Sequence, residues 1–148
     1  GDYPYVTSSS CISQAIFKNG ADMSITPIIY GICKIYDTYV GSKIFQDVEN
    51  IDLNKLQILG EEYGATTGRN RQCNWLNLKK LYNACEINCV KEIYMNKCDI
   101  LEKLGIFKLY DENENIKEFN NIDEMKRYIR KSCLFKYRVI FSGSKNSL

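Results

Sequence analysis

Histidine is absent from the 148-residue chain, so there is no imidazole to bind zinc or to act as a general acid. C-x-x-C pairs are also absent, although Cys11, Cys33, Cys73, Cys85, Cys89, Cys98 and Cys133 make seven cysteines. An odd count without a framework reads as reduced thiols packed as small apolar side chains in a reducing compartment. Proline is scarce, with only two residues, Pro4 and Pro27. No apolar run approaches the ~18 residues of a membrane span, and no signal-peptide pattern opens the chain; Gly1-Asp2-Tyr3-Pro4 reads as the middle of a fold. The net charge is only +2 and the basic residues are dispersed, which argues against a nucleic-acid footprint or a membrane-surface patch. There is no G-x-x-x-x-G-K phosphate loop, internal repeat, low-complexity segment or linker.

What is present is an ordinary globular composition, 45% hydrophobic and 26% charged, long enough for one domain with a core. A short helix is expected over Cys11–Lys18 behind the cap-like cluster Ser8-Ser9-Ser10, ending near Asn19-Gly20. The apolar run of Ile25–Tyr39 is compatible with a buried strand or a helix, and Asn50–Tyr63 with a weak helix or irregular strand. Asn77–Val90 gives the clearest helix, capped by Asn77, with Leu78, Leu81, Tyr82, Cys85 and Cys89 on one apolar stripe. Then follow a strand at Glu92–Met95, a helical turn at Ile100–Leu104, a strand at Ile106–Tyr110 and an acidic turn over Asp111–Lys117. An amphipathic helix over Ile122–Lys131 turns Met125, Tyr128 and Ile129 inward, and a last strand covers Leu134–Phe141. Strands alternating with helices predict an α/β fold with a largely parallel sheet and flanking helices.

The densest chemistry lies in Ala65–Leu78, A-T-T-G-R-N-R-Q-C-N-W-L-N-L, expected as a loop that feeds directly into the helix start at Asn77. Arginine presents a planar fork of donors that matches carboxylate and phosphate, and Gly68 permits close backbone approach or a positive φ. Helix starts add partial positive charge and free N–H groups. Taken alone, the string also fits a solvated turn with two surface arginines. Asn96-Lys97-Cys98-Asp99 follows a strand, where an aspartate can accept both the ring N–H and the exocyclic amine of guanine; adenine offers an acceptor in place of the ring donor. By itself N-K-x-D also fits a surface turn.

The string Ala65-Thr66-Thr67-Gly68-Arg69-x-Arg71-x-x-x-Trp75-Leu76 resembles the aspartate-binding loop of adenylosuccinate synthetase. Tyr3-Pro4-Tyr5-Val6-Thr7-Ser8-Ser9, Tyr30-Gly31-Ile32-x-Lys34-x-Tyr36 leading to Val40-Gly41, and Lys97-Cys98-Asp99-Ile100-Leu101 resemble the same family, in the same order. The resemblance covers most of Asp2–Leu104 and fades afterwards. It implies the C-terminal portion of a P-loop-like, GTP-dependent ligase fold, with 1–148 as one part of the domain. By motif position it implies that Thr7 contacts the phosphate of inosinate (IMP), Val40 its ribose, and Arg69 the same nucleotide. Thr66 and Thr67, in the loop with Ala65 and Gly68, would contact the aspartate carboxylates, and Arg71 would bridge aspartate and GTP. Lys97, Cys98 and Asp99 would hold guanine, with Phe141, Ser142 and Gly143 closing that pocket in a looser match.

The implied reaction has two steps: GTP phosphorylates the 6-oxygen of inosinate, and the amine of L-aspartate then displaces phosphate. Both steps develop negative charge, for which magnesium and preorganised arginines are the expected stabilisers. The family's phosphate loop, catalytic aspartate and catalytic histidine lie in an N-terminal half that this sequence lacks. The magnesium ligands are expected there too. The chain is therefore expected to carry the aspartate and guanine ends of the site, no catalytic residue, and no turnover alone. When complete, such a ligase is expected to be a cytoplasmic homodimer without nucleic-acid or membrane partners. Core strands unpaired for want of the missing half would make the isolated chain poorly soluble.

Departures from the family pattern leave alternatives open. Tyr39 stands where an arginine is usual, Ser42–Asp47 replaces a G-x-G-P-F-P-T-E stretch, and Asn70, Gln72 and Asn74 replace basic residues and a glycine. Phage relatives act on deoxyguanylate to give a 2-amino product and some use ATP, whereas Lys97 and Asp99 favour GTP here. The competing readings are a degenerate, non-catalytic nucleotide-binding module and a GTPase fragment supported by N-K-C-D alone.

Overall fold

In the computed structural model, which describes residues 12–47, 49–133 and 136–143, a four-residue helix α1 (Ala15–Lys18) precedes the first strand. Cys11 and the serine cluster ahead of it lie outside the described residues. The apolar run after Pro27 forms strands, not a helix: β1 (Ile29–Lys34) and β2 (Tyr36–Tyr39). Their β-branched and aromatic residues suit a pleated surface, and β1 alternates more and less exposed positions with period two. Ile35, fully buried, is the pivot between them; its N–H donates to Asn96 O at 3.0 Å.

That pivot takes the chain from one sheet to another. β1 pairs in parallel with β4 (Val90–Asn96), which pairs in parallel with β7 (Arg138–Phe141), giving the order β1-β4-β7. β2 pairs antiparallel with β3 (Gln72–Asn77), β3 in parallel with β5 (Phe107–Tyr110), and β5 antiparallel with β6 (Ile116–Phe119). The α/β class with a parallel sheet and flanking helices is as the alternation of elements implied; the mixed second sheet was not apparent from it. β6 falls partly within the acidic segment read as a turn, because the hairpin is shorter: Asp111 Oδ1 accepts the N–H groups of Asn113 and Asn115, and strand pairing resumes at Ile116.

Helices α2 (Ile51–Leu59), α3 (Leu78–Ile87), α4 (Cys98–Leu104) and α5 (Ile122–Cys133) complete the chain. Asparagines cap two of them: Asn50 accepts from Asp52 N and Leu53 N, and Asn77 from Lys80 N. Two expectations around α3 need correction. The arginine loop does not feed the helix directly, since the six residues of β3 intervene and carry Trp75 into the core. Cys89 does not share the stripe's buried face; it lies beyond the C-cap at φ 52° and is exposed. The final strand begins at Arg138, not at Leu134, which together with Phe135 lies outside the described residues.

One row of the parallel sheet, Gly31–Ile93–Val139, faces the core, while the next, Ile32–Tyr94–Ile140, faces outward with Ile32 76% exposed. Tyr30 packs edge-on to Tyr94 on that outer face and is itself exposed.

Asp37 of β2 accepts the N–H of Asn77 at 3.1 Å, tying β2 to the junction of β3 and α3. Burial pushes its carboxyl up to about 6, against the lowering effects of that hydrogen bond and of Lys80. A raised carboxyl contributes stability below its unfolded pKa and loses it as pH rises through the folded one. Asp37→Asn is therefore expected to be the more stable protein at pH 7, by up to about 3 kcal/mol. Urea unfolding at pH 4 and pH 7 checks this, and the wild-type decline between those values should shrink in the variant.

Candidate functional site

A short segment after α2, residues 60–64, links the two regions that the sequence marked. Gly60 O accepts Lys97 Nζ at 2.8 Å, and Glu62, 1% exposed, accepts Arg71 Nη1 at 3.2 Å. Glu62 also takes Lys34 Nζ at 2.7 Å and the hydroxyl of Tyr36 at 2.7 Å. Burial alone would raise the Glu62 carboxyl; hydrogen bonds from Lys34 and Tyr36, the Lys34 charge and Arg71 outweigh it and hold it below the usual range. Its partner Tyr36 is pushed up, first by burial and then by that hydrogen bond. Glu62, Lys34 and Tyr36 were not among the site residues inferred from sequence, although Lys34 and Tyr36 stand in one of the family-like strings and Glu62 lies three residues ahead of Ala65.

The loop after Glu62 closes on itself. Gly64 N donates to Arg69 O at 2.9 Å and Gly68 N to Gly64 O at 2.8 Å, with a single bridge between Tyr63 and Asn70. Gly68 takes φ +62°, the conformation in which glycine is favoured, with nothing near the position a Cβ would occupy. Ala65, Thr66, Thr67 and Arg69 are exposed on this loop, and Arg71 is half-buried at its base. Of these side chains Arg71 is held by an ion pair, to Glu62 Oε2 at 3.2 Å.

Around Lys97 lies a cleft of about 490 Å³ lined by Leu59, Gly60, Glu61, Asn96, Lys97, Asp99, Ile100, Lys103, Ser142 and Gly143. Lys97 adopts a left-handed φ of 64°, an uncommon state for a non-glycine residue, which turns the chain sharply between β4 and α4. Cys98 N donates to Ser142 O at 3.2 Å and Ser142 N to Met95 O at 2.9 Å, so the end of β7 is stitched to the start of α4. Gly143 sits against Asp99: a Cβ there would lie 3.1 Å from the Asp99 Oδ1. Asn96 Oδ1 is buried in the wall of this cleft without a hydrogen-bond partner among the described residues.

Lys97, Asp99, Ser142 and Gly143 are brought together as the sequence suggested. Cys98 is buried and its thiol lies 3.7 Å from Met95 O, which leaves only its backbone close to the cleft. Phe141 lines a different depression, under the guanidinium of Arg130 at 5.0 Å from its ring centre. Thr7 lies outside the described residues. Val40 follows β2 and opens a loop held by the side chain of Gln72, whose Oε1 accepts Phe45 N and Gln46 N and whose Nε2 donates to Gly41 O and Lys43 O. Gln46 continues the clamp by accepting Cys73 N at 2.7 Å and donating to Asn54 at 2.6 Å. No group of three or more cysteine or carboxylate side chains suited to a metal ion comes together among the described residues.

Comparison with known proteins points to one family. The family model for adenylosuccinate synthetase matches residues 1–136, further than the motif strings alone reach. Relatives include the adenylosuccinate synthetase of Monosiga brevicollis, 41% identical over 111 residues covering 74% of this chain and 26% of that protein. The Thermotoga maritima enzyme is 34% identical over 129 residues, covering 84% of this chain and 32% of that protein. Among solved structures, the fully ligated adenylosuccinate synthetase of Plasmodium falciparum superposes with a TM-score of 0.79 at 26% identity, over 95% of this chain and 43% of that one. The chain thus spans about a quarter to a third of the length of these sequence relatives.

Gln72→Ala removes all four bonds of its clamp at once. The amides of Phe45 and Gln46 should then exchange with solvent at least about tenfold faster, since each lost bond contributes about 1 kcal/mol. Amide exchange followed by mass spectrometry checks this, with the amides of α3 as the unchanged reference.

Proposed function

The chain belongs to the adenylosuccinate synthetase family, and from that premise we propose that residues 1–148 form the aspartate- and guanine-binding portion of a ligase that joins inosinate and L-aspartate at the expense of GTP. The observation that carries this reading is the segment from Gly60 to Glu62, which ties the guanine-side Lys97 to the aspartate-side Arg71 within two residues of chain. A ligase that passes from phosphoryl transfer to amine attack needs both ends in fixed relation, because positioning supplies much of the rate.

In this reading Asp99 accepts the ring N–H and amine of guanine, the Lys97 stem lies along the base, and Ser142 and Gly143 close the pocket. The unpartnered Asn96 Oδ1 and the glycine pressed against Asp99 are features that a flat, donor-rich base would use. Exposed Thr66, Thr67 and Arg69 meet the aspartate carboxylates and the purine nucleotide, and Arg71 spans aspartate and GTP. When bound, GTP supplies the phosphoryl group that turns the 6-oxygen of inosinate into a leaving group. The guanidinium groups of this chain would hold the substrates' negative charge in place while that exchange occurs. Magnesium, with ligands expected in the N-terminal half of the whole protein, would offset the negative charge that develops on the phosphates. The whole protein is read as a cytoplasmic homodimer, and this portion alone as inactive.

The loop next to Val40 departs from the family pattern over Ser42–Asp47, and the second reading is a purine acceptor of guanylate type, as in the phage relatives. Turnover with deoxyguanylate in place of inosinate would support it.

Two measurements test the proposal. Calorimetry should show GDP binding to the chain at least about tenfold more tightly than ADP, with Asp99→Ala erasing the preference, as expected when paired hydrogen bonds read the base. Gly143→Ala should weaken GDP binding alone, by crowding Asp99; equal binding of GDP and ADP by the wild type would overturn the guanine reading. The coding sequence upstream of the Gly1 codon, read in frame, should encode a phosphate loop of the G-D-E-G-K-G-K type. A start codon at or just ahead of the Gly1 codon would instead mean a split enzyme needing a partner, or a remnant with a binding role.

A further inference from the structure

We propose that Glu62 is the positioning residue of the dicarboxylate end of the site, and that Lys34, which it holds beside Arg71, is a second cation contacting the incoming carboxylates. The inference rests on the reading of Arg71 as an aspartate-binding residue. Its basis is the convergence of Lys34 Nζ and Arg71 Nη1 on one oxygen, Glu62 Oε2, at 2.7 and 3.2 Å. Tyr36 occupies the other oxygen at 2.7 Å.

Burying a carboxylate for stability alone is a poor use of charge, because apolar residues of similar volume commonly serve as well. This carboxylate instead holds two cations side by side that would otherwise repel. Arg71 is fixed along its backbone too: its N–H donates to Glu62 O at 2.9 Å, and its own carbonyl accepts Gln57 Nε2 at 2.7 Å. Lys34 has a second polar contact, 3.2 Å to Thr38 Oγ1. Both cations keep a solvent-facing part, 24% of the Lys34 side chain and 34% of the Arg71 side chain. With Glu62 ionised the trio carries one surplus positive charge, and Arg69 on the exposed loop adds another, which suits a dianion.

The groups that face Glu62 are Lys34 from β1, Tyr36 from β2, Arg71 from the loop and the thiol of Cys73 from β3, itself pushed up to about 12, first by burial. The Glu62 carboxyl lies below its ordinary range, so the arrangement is complete at neutral pH and is lost only as pH falls through that lowered value.

The test uses the chain labelled with ¹⁵N at arginine and lysine side chains. At pH 7 the Arg71 guanidinium and Lys34 ammonium protons should be protected from exchange in the wild type. Glu62→Gln should release both and lower affinity for succinate and L-aspartate, titrated with GDP present, at least tenfold. Lys34→Met should lower succinate affinity while leaving the Arg71 signal protected. Unchanged protection of Arg71 in Glu62→Gln, or its release with succinate affinity within twofold of wild type, would overturn the positioning role. Unchanged succinate affinity in Lys34→Met would overturn the role of Lys34.

Arg71→Ala separates this from the functional reading. If that variant binds succinate normally, or the wild type does not bind it, the aspartate reading fails, and the dicarboxylate role proposed for Glu62 and Lys34 falls with it. If Arg71→Ala loses succinate and Glu62→Gln does not, only the positioning role fails. Should Glu62→Gln not fold, acid titration of the wild type reads the same network. The Arg71 and Lys34 protons should lose protection together, and separate losses would overturn the proposal.

Discussion

A carboxylate without solvent must be satisfied by its neighbours, and Glu62 at 1% exposure sets that requirement for much of the molecule. Its three donors come from β1, β2 and the loop ahead of β3, segments already drawn close by the one-residue link at Ile35 and by the pairing of β2 with β3. Meeting there demands that the chain leave the parallel sheet at Ile35 and enter the mixed sheet within one residue. It also demands that α2 end at Gly60, where an added Cβ would lie 2.5 Å from the Tyr36 hydroxyl. The small residue and the buried charge are parts of one packing solution.

This arrangement divides the site into ordered and open halves. Arg71 and Lys97 are each tied to the segment from Gly60 to Glu62. Thr66, Thr67 and Arg69 remain exposed on a loop closed by backbone bonds and by the Thr67 hydroxyl, which accepts Arg69 N at 3.4 Å. Groups held in place before binding cost little to order, whereas exposed side chains at the loop tip lose rotamer freedom when a ligand binds. Anchored cations with an open loop tip suit a site that must admit a substrate and then grip it.

How much was legible follows from which signals are local. Caps and periodicity are local, so Asn77 as an N-cap and the amphipathic α5 could be read directly, and the family-like strings marked Lys97, Asp99 and the arginine loop. Strand β3 was hidden because Gln72 and Asn74 are poor strand formers; pairing with β2 overrides their propensity. Cys89 fitted the helical period only until the helix stopped at Ile87. Glu62 was missed because its role depends on donors 9 to 28 residues away, which no window of sequence reveals.

The loop after Val40 shows the same physics in a place where the chain departs from its family. A basic residue at position 72 would present a charge near the carbonyls of Gly41 and Lys43 but could not accept the N–H groups of Phe45 and Gln46. A glutamine amide does both, and here all four bonds form. Gln46, 5% exposed, repeats the device one layer deeper. Two amides therefore satisfy the part-buried N–H groups of Phe45 and Gln46 and the buried N–H of Cys73, which would cost about 1–3 kcal/mol each if left unpaired. A loop satisfied by its own protein does not need a ligand to shape it. The residues at 42–47 and at 72 are thus structurally coupled, because Gln72 shapes the loop beside Val40.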